Sequence, residues 1–165
     1  MSQTDSSYGR VAGIDYGTVR IGIAVSDPER RLASPYENYN RRSRAKDAER
    51  FQRLVQEERI TLFVVCLPIH SDGNESVKSL EAREFGHWLQ EITGIPVVWF
   101  DERFTSVEAE QVLLEAGLTQ KKRKERLDKL AACFLLSAYL EAPHAAIDPA
   151  RNAADAYRTP GSLDH

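Results

Sequence analysis

Four carboxylates stand at positions where a carboxylate is expensive. Asp15 closes the apolar segment "RVAGID", and Asp101 with Glu102 closes "PVVWF". Asp128 precedes Ala131, Ala132 and Leu135 at i+3, i+4 and i+7, so it continues an apolar stripe. An acid against an apolar surface is costly unless it is hydrogen-bonded, paired or bound to a cation. Each has an ordinary explanation: a turn aspartate for Asp15, an ion pair with Arg103 or a helix-dipole contact for Asp101 and Glu102, and a helix N-cap for Asp128. Taken together, three or four carboxylates converging on one rim are a set of hard oxygen ligands, suited to Mg²⁺ (or Mn²⁺). Two such ions can clamp the attacking and leaving oxygens of a phosphodiester displacement. His70, in "LPIHSDG", is a further acid-base candidate, although a lone loop histidine is more often a solvated surface group. No Ser-His-Asp, Walker or CxxC pattern accompanies these residues.

The elements that must position the acids follow from periodicity. Three β segments come first, "RVAGID" from Arg10, "RIGIAVS" from Arg20 and "RLASPYENY" from Arg31, and their short connections predict antiparallel neighbours. Ala48, Phe51, Leu54 and Val55 recur at helical spacing, predicting a helix to about Arg59. "ITLFVVCLP" from Ile60 is apolar without alternation, the pattern of a parallel strand covered on both faces. A second helix is predicted from about Glu75 to Ile92, with Val77, Leu80, Phe85, Trp88, Leu89 and Ile92 on its apolar stripe and Gly94 just past its end. A strand from Pro96 follows, then a helix from Thr105 to Gly117, then a basic link "LTQKKRKER" and a last helix from about Asp128 to Glu141. The expected fold is α/β: a mixed five-stranded sheet, three antiparallel strands then two parallel ones, flanked by helices. Ligands of such sheets collect outside the carboxyl ends of the parallel strands, where Asp15, Asp101 and Glu102 lie.

The whole chain bounds what the site can serve. At 165 residues it has room for one domain, expected over 10–141, with tails at 1–9 and 142–165. Cys66 and Cys133 sit in apolar stretches with no second thiol or histidine at ligand spacing, and read as small buried hydrophobes in a reducing compartment. The N-terminus lacks the features of a signal peptide, and the run Leu130 to Leu140 is too short to span a bilayer, so a soluble cytoplasmic protein without membrane contact is expected. The net charge of -3 argues against a nucleic-acid partner, but the local distribution argues for one. Arg41 to Arg53 holds six basic and two acidic residues, and Lys121 to Arg126 holds five basic and one acidic. Charge runs are usually solvated segments; beside metal-binding acids, Arg41, Arg42, Lys121, Lys122, Arg123 and Lys124 become candidates for holding a polyanion.

Four motifs in order carry a family resemblance: "GIDYGTVRIGIAVSD" (Gly13 to Asp27), "LPIHSDGNES" (Leu67 to Ser76), "VVWFDERFTSVEAE" (Val97 to Glu110) and "LDKLAACFLLSAYL" (Leu127 to Leu140). From Arg10 to about Leu140 the chain closely resembles the YqgF family, also called RuvX, which is similar to the RuvC resolvases and has an RNase H-like fold. The resemblance implies a bacterial cytoplasmic nuclease that acts either as a Holliday junction resolvase or in maturing the 5′ end of pre-16S rRNA. It implies catalytic roles for Asp15, Glu102 and Asp128, metal ligation by these with Asp101, and phosphate contacts from Arg20 and Arg103. Two positions depart from the pattern. Val19 stands where the family usually has Lys, and Cys66 where it usually has Gly.

The leading expectation is therefore a metal-dependent phosphodiesterase, with two ions, acting on pre-rRNA or branched DNA. Junction cleavage by paired nicks requires a homodimer, whereas a monomer suffices to trim one RNA end. A nucleic-acid-binding module without catalysis is the alternative class, which retention of all the motif acids disfavours. A third reading starts from Asp15-Tyr16-Gly17-Thr18, which looks like the first phosphate motif of actin and sugar-kinase ATPases; those enzymes need two such lobes, and the chain has length for one.

Overall fold

The computed structural model describes residues 9–68, 76–101 and 120–149, and side chains over the same ranges except 120–129. Five strands form one sheet: β1 (Arg10–Asp15), β2 (Arg20–Ser26), β3 (Ala33–Asn40), β4 (Ile60–Leu67) and β5 (Val97–Asp101), in the order β3-β2-β1-β4-β5. β1 pairs antiparallel with β2, and β2 with β3, through short connections. β4 lies parallel to β1 on one side and to β5 on the other, as its unbroken apolar sequence requires. The described helices are α1 (Arg44–Glu58), α2 (Val77–Thr93) and α3 (Gln120–Glu141). The sheet is mixed and covered on both faces, as expected.

Strand alternation divides the core into two layers. Ala12, Ile14, Ile21, Ile23, Phe63, Val65, Val97 and Trp99 face α1 and α2. Val11, Ala24, Val64, Val98 and Phe100 face the other way, against Ala132, Leu135, Leu136 and Tyr139 of α3. Two glycines permit the closest approaches. A Cβ on Gly13 would lie 2.8 Å from Leu136 Cβ and 2.9 Å from the Ala132 carbonyl oxygen, so glycine lets α3 sit directly on β1. A Cβ on Gly86 would lie 2.7 Å from Trp99 Cε2, so glycine in α2 opens the slot that the Trp99 indole fills. That indole donates from Nε1 to the Ala82 carbonyl at 3.1 Å.

Several expected boundaries shift, each for a local reason. α3 starts by Gln120, so the run Lys121 to Arg126 belongs to the helix and is not a link; lysine, arginine, glutamine and glutamate are good helix formers, and the apolar stripe alone cannot show where a solvated helix begins. β3 starts at Ala33 because Asp27 holds the preceding hairpin, its Oδ1 accepting from the amides of Arg31 at 2.7 Å and Leu32 at 2.8 Å. α1 starts at Arg44 with Ser43 as N-cap, and α2 at Val77 with Ser76 as N-cap.

The apolar stripe expected on α2 is displaced as well. Val77 is 72% and Leu80 56% exposed, while Ser79, Ala82, Phe85, Gly86 and Leu89 are the buried face. Bulk supplied by Trp99 from the sheet makes small helix residues the better fit. Cys66 and Cys133 are half-buried, not buried, and are not joined in a disulfide. Burial pushes the pKa of the Cys133 thiol up, and its sulfur lies 3.5 Å from the Ala33 carbonyl. Residues past Ala142, expected to be a tail, form a 3₁₀ turn (Pro143–Ala145), and Ile147 pairs with Trp99, its N–H donating to the Trp99 carbonyl at 2.7 Å and its carbonyl accepting from the Trp99 N–H at 3.0 Å. On the side of β5 away from β4, Ile147 supplies the backbone partner of Trp99. Among the described residues no helix is long and apolar enough to cross a membrane.

Candidate active site

The carboxyl ends of β1, β4 and β5 lie side by side, and a cleft of about 320 Å³ opens there, lined by Asp15, Tyr16, Gly17, Thr18, Cys66 and Pro68 with Lys78 and Glu81 of α2. Asp15 reaches this rim because β1 ends on it, and strand alternation from Val11 and Gly13 turns its side chain to the α3 face. Gly17 fits the return to β2, since a Cβ there would collide with the Arg20 carbonyl. Lys78 is exposed and lies beside Asp15 in the cleft, a basic residue that no motif spacing singles out.

Position 128 is reached through α3. It lies one helical turn, about 6 Å, N-terminal of Ala132, whose carbonyl touches Gly13. Asp15 stands two residues, about 7 Å, along β1 from the same contact. The backbone thus carries Asp15 and position 128 to the same side of the sheet, each close to the crossing of β1 and α3. Asp101 differs. It is 7% exposed at the end of β5, two strands across from Asp15, and alternation from Val97 and Trp99 turns it toward the α1/α2 face. Asp15 and Asp101 therefore share a rim but not a face.

Other expected site residues are distributed unevenly. Arg20 begins β2 and is exposed. Arg41 is engaged in the fold: its Nε lies 3.3 Å from Asp47 Oδ2, and its Nη1 donates to the Tyr16 hydroxyl at 3.2 Å. Arg42 is exposed, its amide donating to Asp47 Oδ1 at 2.9 Å. Glu102, Arg103, His70 and the helix expected from Thr105 to Gly117 lie outside the described residues, as do the side chains of Asp128, Lys121, Lys122, Arg123 and Lys124. Among the described residues, no three His, Cys, Asp or Glu side chains form a metal-binding group.

Sequence reasoning missed the residue that orders this corner, Asp47. Its side chain is 1% exposed and accepts from Tyr39 Oη at 2.6 Å in addition to Arg41 and Arg42. Burial pushes its pKa up, but the hydrogen bonds from Tyr39, the Arg42 amide and Arg41 outweigh this and hold it below the usual carboxylate value. Burial and the Asp47 carboxylate together push Tyr39 up to about 12. Through Arg41, which also lies 5.4 Å over the Tyr16 ring, the network fixes the residue next to Asp15. A signal was present: Asp47, Phe51 and Leu54 stand at i, i+4 and i+7, the same acid-on-an-apolar-stripe pattern that marks Asp128.

The chain matches the family model RuvX, described as Holliday junction resolvase, over residues 9–142. A protein of Rhodopirellula baltica named "Putative pre-16S rRNA nuclease" is 52% identical over 134 residues, covering 81% of this chain and 78% of the relative. One of Syntrophomonas wolfei with the same name is 45% identical over 132 residues, covering 80% and 94%. Among solved structures, T. thermophilus RuvC in complex with a Holliday junction substrate superposes with a TM-score of 0.51 at 17% identity, covering 83% of this chain and 98% of that one, which supports the RNase H-like fold. By the extent of the family match and the identity to these relatives, the chain belongs to the RuvX family of nucleases.

Proposed function

We propose that this nuclease is a divalent-metal-dependent endonuclease of structured RNA whose reaction is the processing of the 5′ end of pre-16S rRNA. The observation that carries the chemistry is the placement of Asp15 and position 128 on one face, beside the crossing of β1 and α3 and next to an open cleft. The names of the relatives support the RNA substrate.

The donor set fits hard cations, since the candidate ligands are carboxylates and one of them, Asp15, lines the cleft. Mg²⁺ or Mn²⁺, in two sites, would be held by Asp15, Asp128 and Glu102. When bound, such ions polarise the scissile phosphate and favour ionisation of the attacking water. Asp101 is the weaker ligand candidate because it turns to the opposite face from Asp15. Arg20 and Lys78 would neutralise the phosphates flanking the cut. Attack of water on phosphorus breaks one P–O bond, and the departing oxygen takes up a proton. We assign this work to a monomer, because one strand end needs one active site.

A second reading, resolution of four-way DNA junctions by a homodimer, is favoured by the description of the family model. A cleavage assay comparing a pre-16S 5′ leader with a synthetic junction, with Mg²⁺ and with EDTA, separates the two. Asp15→Asn and Glu102→Gln should each lower turnover by about 10²- to 10³-fold with the fold intact, the usual cost of removing one transition-state-stabilising group. Asp101→Asn should have the smaller effect on turnover. Unchanged cleavage in Asp15→Asn would overturn the assignment, and metal-independent binding without cleavage of either substrate would leave a binding module.

A further inference from the structure

A second cleft of about 260 Å³ adjoins the first, sharing Tyr16 and Glu81 with it, and its wall carries Arg41, Arg42, Arg44, Glu84 and Trp88. Its floor is an aromatic row leading away from the catalytic rim. Tyr16 lies 4.9 Å from Phe85, and Phe85 lies 5.5 Å from Trp88, centroid to centroid. Phe51 meets Trp88 edge-on at 6.4 Å, bracing the half-buried indole from the core side. The Arg44 guanidinium, on an exposed residue, lies 5.8 Å over the Trp88 ring.

We infer that this second cleft binds an unpaired nucleotide of the substrate, its base stacked on Trp88 and its phosphates held by Arg42 and Arg44. This deepens the nuclease reading and rests on it. The guanidinium of Arg44 covers the ring face with a planar cation, and an exposed cation–π contact is weaker than a base stacked on an aromatic ring. A base therefore displaces the cation, which then reaches the phosphate. Arg41 is committed to Asp47 and Tyr16 and acts as a positioning residue. Glu81 and Glu84 oppose the arginines, confining phosphates to one wall, and a carboxylate there accepts from a base N–H donor. Bases in a duplex are stacked on their neighbours and withhold their faces, so the cleft selects a single-stranded extension beside the cut.

The test is binding in EDTA, where no cleavage intervenes, read by the anisotropy of fluorescently labelled U8, dT8 and a blunt duplex of the same length. Of the two tryptophans, Trp99 is fully buried, so quenching of the emission on adding oligonucleotide reports Trp88. Trp88→Leu should weaken single-strand binding about 5- to 100-fold, the range for loss of one stacked base. Trp88→Phe should restore most of it, and duplex binding should be unaffected by either. Arg44→Ala, at an exposed position that spares the core, should lower the salt dependence of single-strand binding by about one phosphate contact. The RNA and DNA arms identify which strand the cleft accepts. Equal losses on single strand and duplex in Trp88→Leu, or unaltered single-strand binding in both Trp88→Leu and Arg44→Ala, would overturn the inference. Absence of metal-dependent cleavage by the parent chain, with single-strand binding intact, would sink the nuclease reading and leave this site standing.

Discussion

Asp47 shows how much one buried acid organises. Its carboxylate accepts three hydrogen bonds, from Tyr39, Arg41 and the Arg42 amide, and so ties the end of β3 and the start of α1 to the residue after Asp15. Replacing it with Ala should destabilise the protein by about 1.5–3 kcal/mol, the range for hydrogen bonds to a charged group, and urea unfolding would measure it. Because the folded pKa of Asp47 lies below its ordinary 3.8, its contribution is complete above that value and is lost as pH falls through the lower folded value. Tyr39 acts at the other end of the scale. Its pKa is raised from 10.0 to about 12, so its contribution is complete below 10 and disappears as pH rises through about 12. Tyr39→Phe should melt below the parent chain at neutral pH, and the gap should close as pH rises from 10.0 through about 12; a gap that stays constant over that range would overturn this role for the Tyr39 hydroxyl. The place of Asp15 at the carboxyl end of β1 was legible in the sequence, because an acid closing an apolar strand stands out. Tyr16 was not, because a tyrosine following a strand has no spacing that distinguishes it.

At the level of elements, glycine decides how closely helices approach the sheet. Gly13→Ala inserts a methyl between β1 and the Ala132–Leu136 turn of α3, against backbone that cannot rotate away. The cost should be about 1–3 kcal/mol, as for other overpacked sites. Since α3 also carries Asp128, cleavage should fall with stability, and paired measurements of unfolding midpoint and kcat would show whether helix displacement affects both. The strands were readable because apolar alternation and continuity differ between half-buried and fully buried strands, as in β1 to β3 against β4. The buried face of α2 was misread for a reason lying outside the helix. Trp99 on β5 demands Gly86 and Ala82 opposite it, and no period within α2 reveals a partner on another element. The start of α3 was hidden in the same way, because the basic run Lys121 to Arg126 carries helix-forming residues without an apolar stripe.

For the whole molecule, net charge conceals its distribution. The chain carries -3 overall, yet Arg42, Lys46, Arg50 and Arg53 line a groove of about 500 Å³ between β3 and α1. One of these is already partnered, since Arg50 Nε lies 2.9 Å from Glu37 Oε2. Lys46 and Arg53 are exposed and free to meet a backbone. Lys46→Gln combined with Arg53→Gln should weaken binding evenly across sequences and reduce the slope of log Kd against log salt by about two contacts. A slope unaffected by the pair would move the polyanion path elsewhere, toward the basic turn of α3.

The pairing of Ile147 with Trp99 bears on where the folding unit ends. The family match stops at residue 142, five residues before the segment that occupies the outer side of β5. A chain cut at 142 would keep every motif and every candidate catalytic acid, but it would lose the two hydrogen bonds from Ile147 to Trp99 and open that point of a wholly buried, strongly apolar strand to another copy. Such a truncated protein should aggregate in a concentration-dependent way, seen by light scattering, while one ending at 149 stays monodisperse. That outcome would make the stretch after the last helix a guard against self-association, which a boundary drawn from motifs alone would remove.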